Sequence, residues 1–62
     1  MPLVRIDWLP GRGQEQKREL SELITRELAR IGQCTLDSVT VIFRDVAPGD
    51  WAEGGTLLED RR

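Results

Sequence analysis

A chain of 62 residues is long enough for one small domain but too short to bury a large apolar core by itself. Its net charge of −2 at pH 7, with no cluster of basic residues, argues against nucleic acid as a partner. With one cysteine and no histidine it can form neither an internal disulfide nor a standard structural zinc site, so association with further copies is the expected source of additional buried surface.

The first predicted element is a β-strand at Leu3–Leu9, where side-chain character alternates. One face of this strand is wholly apolar and should meet a core. It consists of Pro2, Val4, Ile6 and Trp8. The other face is mixed, as expected of a surface shared between solvent and a second subunit. Pro10-Gly11 then predicts a turn that ends the strand.

A helix is predicted to start from the segment Arg12–Lys17 and to end near Ile31, with Gly32 as the left-handed residue that closes it. Its apolar positions follow helical spacing: Leu20, Leu23, Ile24, Leu28 and Ile31. About 18 helical residues rise about 27 Å, which is enough to return along a strand of seven residues that spans about 23 Å. The helix can therefore connect two parallel strands.

The second predicted strand, Ser38–Val46, is apolar on both faces, which suits a parallel strand that is covered on both sides. One helix covers only one face of a two-stranded sheet, so a second copy of the chain must cover the other. Ala47–Asp50 is predicted to form a type II turn, and Trp51–Leu58 a short hairpin around Gly54-Gly55.

These elements predict an α/β (α+β) fold, in which a small β-α-β protomer with parallel strands carries a short C-terminal hairpin. Residues 1–62 are expected to form a single domain. No apolar run approaches the roughly 20 residues that a membrane-spanning helix needs, so no membrane partner is expected. We expect a cytoplasmic protein that uses neither a metal nor another cofactor.

Pro2 carries the one group whose pKa could lie near neutral pH. Removal of Met1 would leave Pro2 with a secondary amine at the start of the chain. A terminal α-amine titrates at about 7.7–8.0 in a peptide, and an apolar setting or a nearby cation lowers that pKa toward the range in which a general base works best. The alternative is that Pro2 only begins an edge strand, where a missing N–H costs nothing.

Four other residues could contribute to a site, and each also has an ordinary structural explanation. Arg12, just after the first strand, could bind a carboxylate through two hydrogen bonds or remain a solvated loop residue. Trp51 could roof a pocket or fill a contact between subunits, and Glu53 could act as a second acid or base or stay solvated. Cys34 has no histidine to activate it, which favours a structural thiol.

The chain carries four short motifs: Pro2-Leu3-Val4-Arg5-Ile6, Pro10-Gly11-Arg12, Glu15-Gln16-Lys17 and Gly54-Gly55. In this order and at these spacings they resemble the 4-oxalocrotonate tautomerase family. The resemblance runs without a gap from Pro2 to about Leu58, which is nearly the whole chain. Each motif is common alone, whereas their combination in so short a chain is specific.

The resemblance implies a protomer that pairs into a dimer and then into a hexamer of three dimers. It implies that Pro2, once Met1 is removed, is the general base of a keto–enol tautomerase, an isomerase that acts on small 2-oxo or enol carboxylic acids. Arg12 matches the family arginine that holds a substrate carboxylate and is reached from a neighbouring subunit. Trp51 matches the pocket aromatic, usually a phenylalanine, that keeps the proline amine in an apolar setting.

Two positions depart from the family pattern. Thr40 stands where the family has its second arginine, so a neutral hydroxyl replaces a charge that would stabilise an enolate. Glu53 stands where the dehalogenase branch, which acts on 3-chloroacrylate, has a water-activating glutamate, although the early arginine of that branch is Leu9 here. Tautomerase activity is the leading hypothesis. The alternatives are a hydratase or dehalogenase of small unsaturated acids that uses Glu53, and a non-catalytic oligomeric binding module.

Overall fold

Strand β1, Leu3–Trp8, begins the fold in the computed structural model, which describes residues 1–61. Burial alternates along it as predicted, because Val4, Ile6 and Trp8 are half-buried while the side chains between them are exposed. The strand ends one residue before its predicted limit. Arg62, the last residue of the single predicted domain, lies outside the described residues.

Helix α1, Gln14–Gly32, follows the loop of residues 9–13. Gln16 closes its first turn, because its Oε1 accepts the backbone N–H of Gly13 at 2.7 Å. Three of the apolar positions predicted for this helix are half-buried, namely Leu20, Ile24 and Leu28. The other two are not covered within the chain, since Leu23 is 47% and Ile31 is 69% exposed.

The end of α1 differs from the prediction that Gly32 adopts the left-handed conformation. Gly32 is the last helical residue, and Gln33 adopts that conformation instead, with φ 54°. The Ala29 carbonyl accepts hydrogen bonds from the backbone N–H groups of Gln33 and Cys34, which satisfies it at the end of the helix. The prediction was therefore wrong by one residue.

Strand β2, Thr40–Asp45, pairs in parallel with β1, from Leu3 opposite Thr40 to Trp8 opposite Asp45. The predicted β-α-β unit with parallel strands is thus confirmed. The strand is shorter than the predicted Ser38–Val46 because a 3₁₀ turn at Leu36–Ser38 precedes it. Beyond its end, the backbone N–H of Val46 still donates a hydrogen bond of 2.8 Å to the Trp8 carbonyl.

The predicted C-terminal hairpin is present as β3, Ala52–Glu53, and β4, Thr56–Leu57, which pair antiparallel. Gly54 and Gly55 both have positive φ, at 60° and 84°, as a two-residue hairpin turn requires. The type II turn predicted for residues 47–50 is wrong. A 3₁₀ turn at Pro48–Asp50 takes its place, and Gly49 needs no positive φ there.

The sheet has one covered face and one open face. Helix α1 is the only helix longer than one turn within residues 1–61, so it can cover only one side of β1 and β2. The open face carries every second residue of both strands: Leu3, Arg5 and Asp7 of β1, and Thr40, Ile42 and Arg44 of β2. Leu3 is 61% and Ile42 is 39% exposed on it. We therefore infer that its apolar part needs a cover from outside the chain.

Burial within the chain is correspondingly slight. Ala29 of α1, at 9% exposed, is the one residue among residues 1–61 that is buried. The described chain measures 44 × 24 × 13 Å along its principal axes, and the shortest dimension has room for a single layer of helix on sheet. Within that part of the chain, no helix combines the length and the apolar composition needed to cross a membrane.

Candidate active site

Pro2 and Thr40 lie side by side at the end of the sheet where both strands begin. The backbone N–H of Thr40 donates a hydrogen bond of 3.0 Å to the Pro2 carbonyl, which extends the parallel ladder by one residue. Pro2 is half-buried, whereas Met1 is fully exposed. The backbone at position 2 is thus fixed to the sheet, while the residue before it projects into solvent.

Arg12 lies at the opposite end of β1, in the loop that leads to α1. Its Nη1 donates a hydrogen bond of 2.9 Å to the Leu9 carbonyl, and its Cζ lies 4.9 Å from the centroid of the Trp8 ring. That distance is within the range of a cation–π contact. The hydrogen bond uses one of the five guanidinium N–H donors, so enough donors are left for a bidentate carboxylate contact.

Trp8 connects Arg12 to the end of β2. Its Nε1–H donates a hydrogen bond of 2.9 Å to Oδ1 of Asp45, the residue directly opposite it in the parallel register. The Trp8 and Phe43 ring centroids are 5.3 Å apart, and Nζ of Lys17 is 3.8 Å from the other Asp45 oxygen. By its sequence pattern, Trp8 belongs only to the apolar face of β1. Its hydrogen bond to Asp45 follows from the pairing of β1 with β2, and the alternation within each strand does not predict that pairing.

A cavity of about 290 Å³ opens beside Arg12. Its walls are formed by Trp8, Arg12, Gln16, Glu19, Leu20 and Leu23. They combine apolar surface with one cation and one carboxylate, so the positive end of the cavity is at the Arg12 guanidinium. A larger cavity of about 400 Å³ lies elsewhere on α1, and none of the predicted site residues lines it.

Trp51 and Glu53 belong to the C-terminal hairpin region. Trp51 is half-buried, and its carbonyl accepts the backbone N–H of Leu58 at 2.9 Å. Glu53 faces the last described residue: its Oε1 is 3.4 Å from Nη1 of Arg61, and Nη2 of Arg61 donates to the Glu53 carbonyl at 3.2 Å. Glu53 is thus engaged by Arg61 within the chain, although its side chain remains 56% exposed.

The five predicted site residues fall into separate groups within one chain. Pro2 and Thr40 lie where the strands begin, and Arg12 follows the far end of β1. The six residues of β1 span about 20 Å by strand rise, which exceeds the reach of a small carboxylic acid. Pro2 and Arg12 therefore lie at opposite ends of β1 within one chain.

Within residues 1–61, no group of three or more histidine, cysteine, aspartate or glutamate side chains is placed to bind a metal ion.

Comparison with known proteins identifies the chain's relatives. The family model described as tautomerase enzyme matches residues 2–61. A probable tautomerase of Streptococcus agalactiae is 37% identical over 57 residues, which is 92% of this chain and 95% of that protein. A probable tautomerase of Ralstonia nicotianae is 33% identical over 57 residues, 92% of this chain and 88% of that protein.

Solved structures show the same relationship at the level of the fold. A 4-oxalocrotonate tautomerase homologue superposes with a TM-score of 0.89 at 34% identity, covering 100% of this chain and 98% of the other. A heterohexamer 4-oxalocrotonate tautomerase from Chloroflexus aurantiacus superposes with a TM-score of 0.86 at 35% identity, covering 100% of both chains. The resemblance seen in the motifs is therefore confirmed, and the chain belongs to the 4-oxalocrotonate tautomerase family of isomerases.

Proposed function

We propose that the protein catalyses keto–enol tautomerisation of small 2-oxo or enol carboxylic acids, with the amine of Pro2 as general base and no cofactor. The proposal rests on the place of Pro2 at the start of the sheet, in a chain whose residues 2–61 match the tautomerase family model. The Pro2 carbonyl is fixed by the Thr40 N–H at 3.0 Å, while Met1 is fully exposed and accessible to removal. Removal of Met1 would create a Pro2 amine that is held in place by this attachment to the sheet.

The reaction requires only the movement of one proton. The neutral Pro2 amine takes the proton from the enol hydroxyl, and the electron pair of that O–H bond forms the carbonyl as the carbon–carbon double bond shifts. The protonated amine then returns a proton to the carbon at the other end of the conjugated system. A half-buried amine favours this exchange, because burial disfavours its charged form.

Turnover of two enol acids tests the proposal. Purified protein whose loss of Met1 has been verified by intact mass spectrometry is mixed with 2-hydroxymuconate or phenylenolpyruvate, and the loss of enol absorbance is followed. Ketonisation faster than the buffer reaction is the expected result. If neither enol acid is turned over but 3-chloroacrylate is, the tautomerase proposal is wrong and the use of Glu53 with water is favoured.

Arg12 is proposed to bind a carboxylate of the substrate. Its guanidinium stands at the positive end of the 290 Å³ cavity, next to the apolar surfaces of Trp8 and Leu20. A small acid with a hydrocarbon chain matches that combination of one cation and apolar walls. Glu19 in the same wall repels anions that do not engage Arg12, which favours one orientation of the acid.

Substitution Arg12→Ala is expected to raise KM for 2-hydroxymuconate more than it lowers kcat. A carboxylate contact that already exists in the bound ground state contributes mainly to binding, and a hydrogen bond to a charged group contributes about 1.5–3 kcal/mol. Steady-state kinetics measure the effect. Arg18→Ala is the matched control, because Arg18 is an exposed helix residue paired with Glu15. An Arg12→Ala protein with the wild-type KM would refute this role.

Thr40 is proposed to approach the developing oxyanion of a substrate held by another copy of the chain. Thr40→Arg is expected to raise kcat for 2-hydroxymuconate, since one preorganised donor to an oxyanion contributes about 2.7–4 kcal/mol in the transition state. Thr40 is exposed within its own chain, so a longer side chain displaces no packed atom of that chain. Thr56→Arg, at an exposed threonine of β4, is the control. An unchanged kcat in Thr40→Arg would contradict the proposed placement.

Trp51 and Glu53 complete the proposed substrate site from the hairpin. Trp51 supplies an indole surface that keeps water from the Pro2 amine of a neighbouring copy. The contacts of Glu53 with Arg61 support a role for Glu53 in shaping the hairpin and its approach to the substrate. The tautomerase is favoured over the hydratase or dehalogenase alternative because the early arginine of the dehalogenase branch is Leu9 here.

The active form is proposed to be a homo-oligomer, at least a dimer and by analogy a hexamer. Two observations support it: the strand-length separation of Pro2 from Arg12, and the open sheet face that exposes Leu3 and Ile42. The heterohexamer from Chloroflexus aurantiacus has the same protomer fold. Residues 1–62 are proposed to form one domain. The protein is proposed to act in the cytoplasm, where proteins rarely contain disulfides, and its single cysteine agrees with that location.

A further inference from the structure

We propose that Trp8 is a positioning residue, which fixes the guanidinium of Arg12 in the orientation that receives a substrate carboxylate. The inference rests on the binding role proposed for Arg12 above. It concerns a tryptophan that the proposed proton transfer does not use. Its evidence is a continuous set of contacts from the end of β2 to the loop that carries Arg12.

The indole of Trp8 is itself held on two sides. Its Nε1–H donates to Oδ1 of Asp45 at 2.9 Å, and its ring packs against Phe43 with the centroids 5.3 Å apart. Asp45 is in turn 3.8 Å from the Lys17 ammonium, so its second oxygen also has a partner. Because Trp8 and Asp45 are opposite each other in the parallel register, the sheet fixes the distance between them. The ring is therefore a fixed surface.

The Arg12 guanidinium lies over that fixed surface, 4.9 Å from the ring centroid. A cation held over a ring at this distance has less freedom than a solvated one. The Leu9 carbonyl accepts one of the five guanidinium N–H donors at 2.9 Å, which restricts the group at a second point. The two contacts together limit the positions that the remaining donors can take.

This arrangement favours binding because it orders Arg12 before the substrate arrives. A free arginine side chain samples many rotamers, and a carboxylate that binds it must overcome the loss of that freedom. Trp8 and Arg12 line the same cavity, so the ordered guanidinium edge borders the space that an acid would occupy. An aliphatic residue at position 8 would preserve the apolar wall, but it would provide neither the π face nor the link to Asp45.

A double-mutant cycle between positions 8 and 12 tests the proposal with 2-hydroxymuconate as the probe. Trp8→Leu is expected to raise KM about 3- to 10-fold, the range that a cation–π contact with partial preorganisation supports, with kcat within about twofold of wild type. Trp8→Phe keeps a ring face and should recover most of the loss. In the Arg12→Ala background, Trp8→Leu should add no further rise in KM. A rise of the same size in both backgrounds would overturn the proposal.

Nuclear magnetic resonance provides a readout that does not depend on activity. The ring current of the aromatic side chain at position 8 should shift the side-chain protons of Arg12 upfield, both in the wild-type protein and in Trp8→Phe. The shift should disappear in Trp8→Leu. Circular dichroism verifies that each variant is folded. A ring-current shift that is present while Trp8→Leu leaves KM unchanged would show a purely structural contact, and would also overturn the proposal.

The same data separate this inference from the role of Arg12 itself. If Arg12→Ala raises KM while Trp8→Leu does not, Arg12 binds substrate and only the positioning role of Trp8 is refuted. If Arg12→Ala leaves KM unchanged, the proposed carboxylate contact fails and the positioning role fails with it.

Discussion

Protein that retains a residue ahead of Pro2 is expected to lose tautomerase activity by about 10²–10⁴-fold, the usual contribution of a positioned general base. An extension turns the Pro2 nitrogen from an amine into an amide, which cannot accept a proton near neutral pH. Few other contacts should change, because Met1 is fully exposed. The comparison requires two preparations whose N-termini are verified by intact mass spectrometry, one beginning at Pro2 and one extended, assayed on the same enol acid.

Two controls make this comparison specific. Pro2→Ala, after removal of Met1, keeps a free but primary amine and should retain part of the activity. The extended protein should also sediment like the processed one, which excludes a loss of assembly as the cause. Full activity in the extended protein would mean that Pro2 is not the base.

Ile42→Lys is the second substitution with a large expected effect. Ile42 is 39% exposed at the centre of the open sheet face, opposite Arg5 in the register. A lysine there would put an unpaired charge into the proposed subunit contact and remove about 1.5–3 kcal/mol of apolar burial per copy. We expect dissociation in sedimentation velocity at micromolar concentration. Activity should fall by more than about 100-fold, because Pro2 and Arg12 would no longer meet at one substrate.

Ile31→Lys is the matched control for this experiment. Ile31 is 69% exposed near the end of α1, away from the open sheet face, and the substitution is chemically the same. It should leave both the sedimentation coefficient and the activity near the wild-type values. An Ile42→Lys protein that remained assembled and active would show that the open face is not the contact.

The sequence predicted the elements of the fold because each depends on a local pattern. Alternation from Leu3 identified β1, the spacing from Leu20 to Leu28 identified the helix, and Gly54-Gly55 identified the hairpin turn. Errors arose where two local solutions differ little in free energy. The left-handed residue fell on Gln33 instead of its glycine neighbour, and the turn at Pro48–Asp50 is 3₁₀ instead of type II.

The candidate site was less accessible to sequence reasoning, because its contacts depend on register and on other copies. Pro2 was predicted from the chemistry of an N-terminal amine, and Arg12 from its place just after the first strand. The strand pattern does not show how the two residues could reach one substrate. The hydrogen bond from Trp8 to Asp45 joins residues 37 positions apart, and only the parallel register reveals it. Arg12 lies against the same indole ring. Trp8 also satisfied an apolar pattern, which concealed its polar contact.

The scarcity of buried residues has a consequence for what stability means in this protein. With Ala29 alone buried among residues 1–61, apolar side chains such as Leu3, Leu23 and Ile31 stay in contact with water in the single chain. Under the proposed assembly, unfolding and dissociation form one equilibrium, and its midpoint shifts with the total concentration of chains by mass action. A change on the open sheet face then alters the population of folded chains as well as their association. The stability of such a protein is set by its abundance as much as by its sequence.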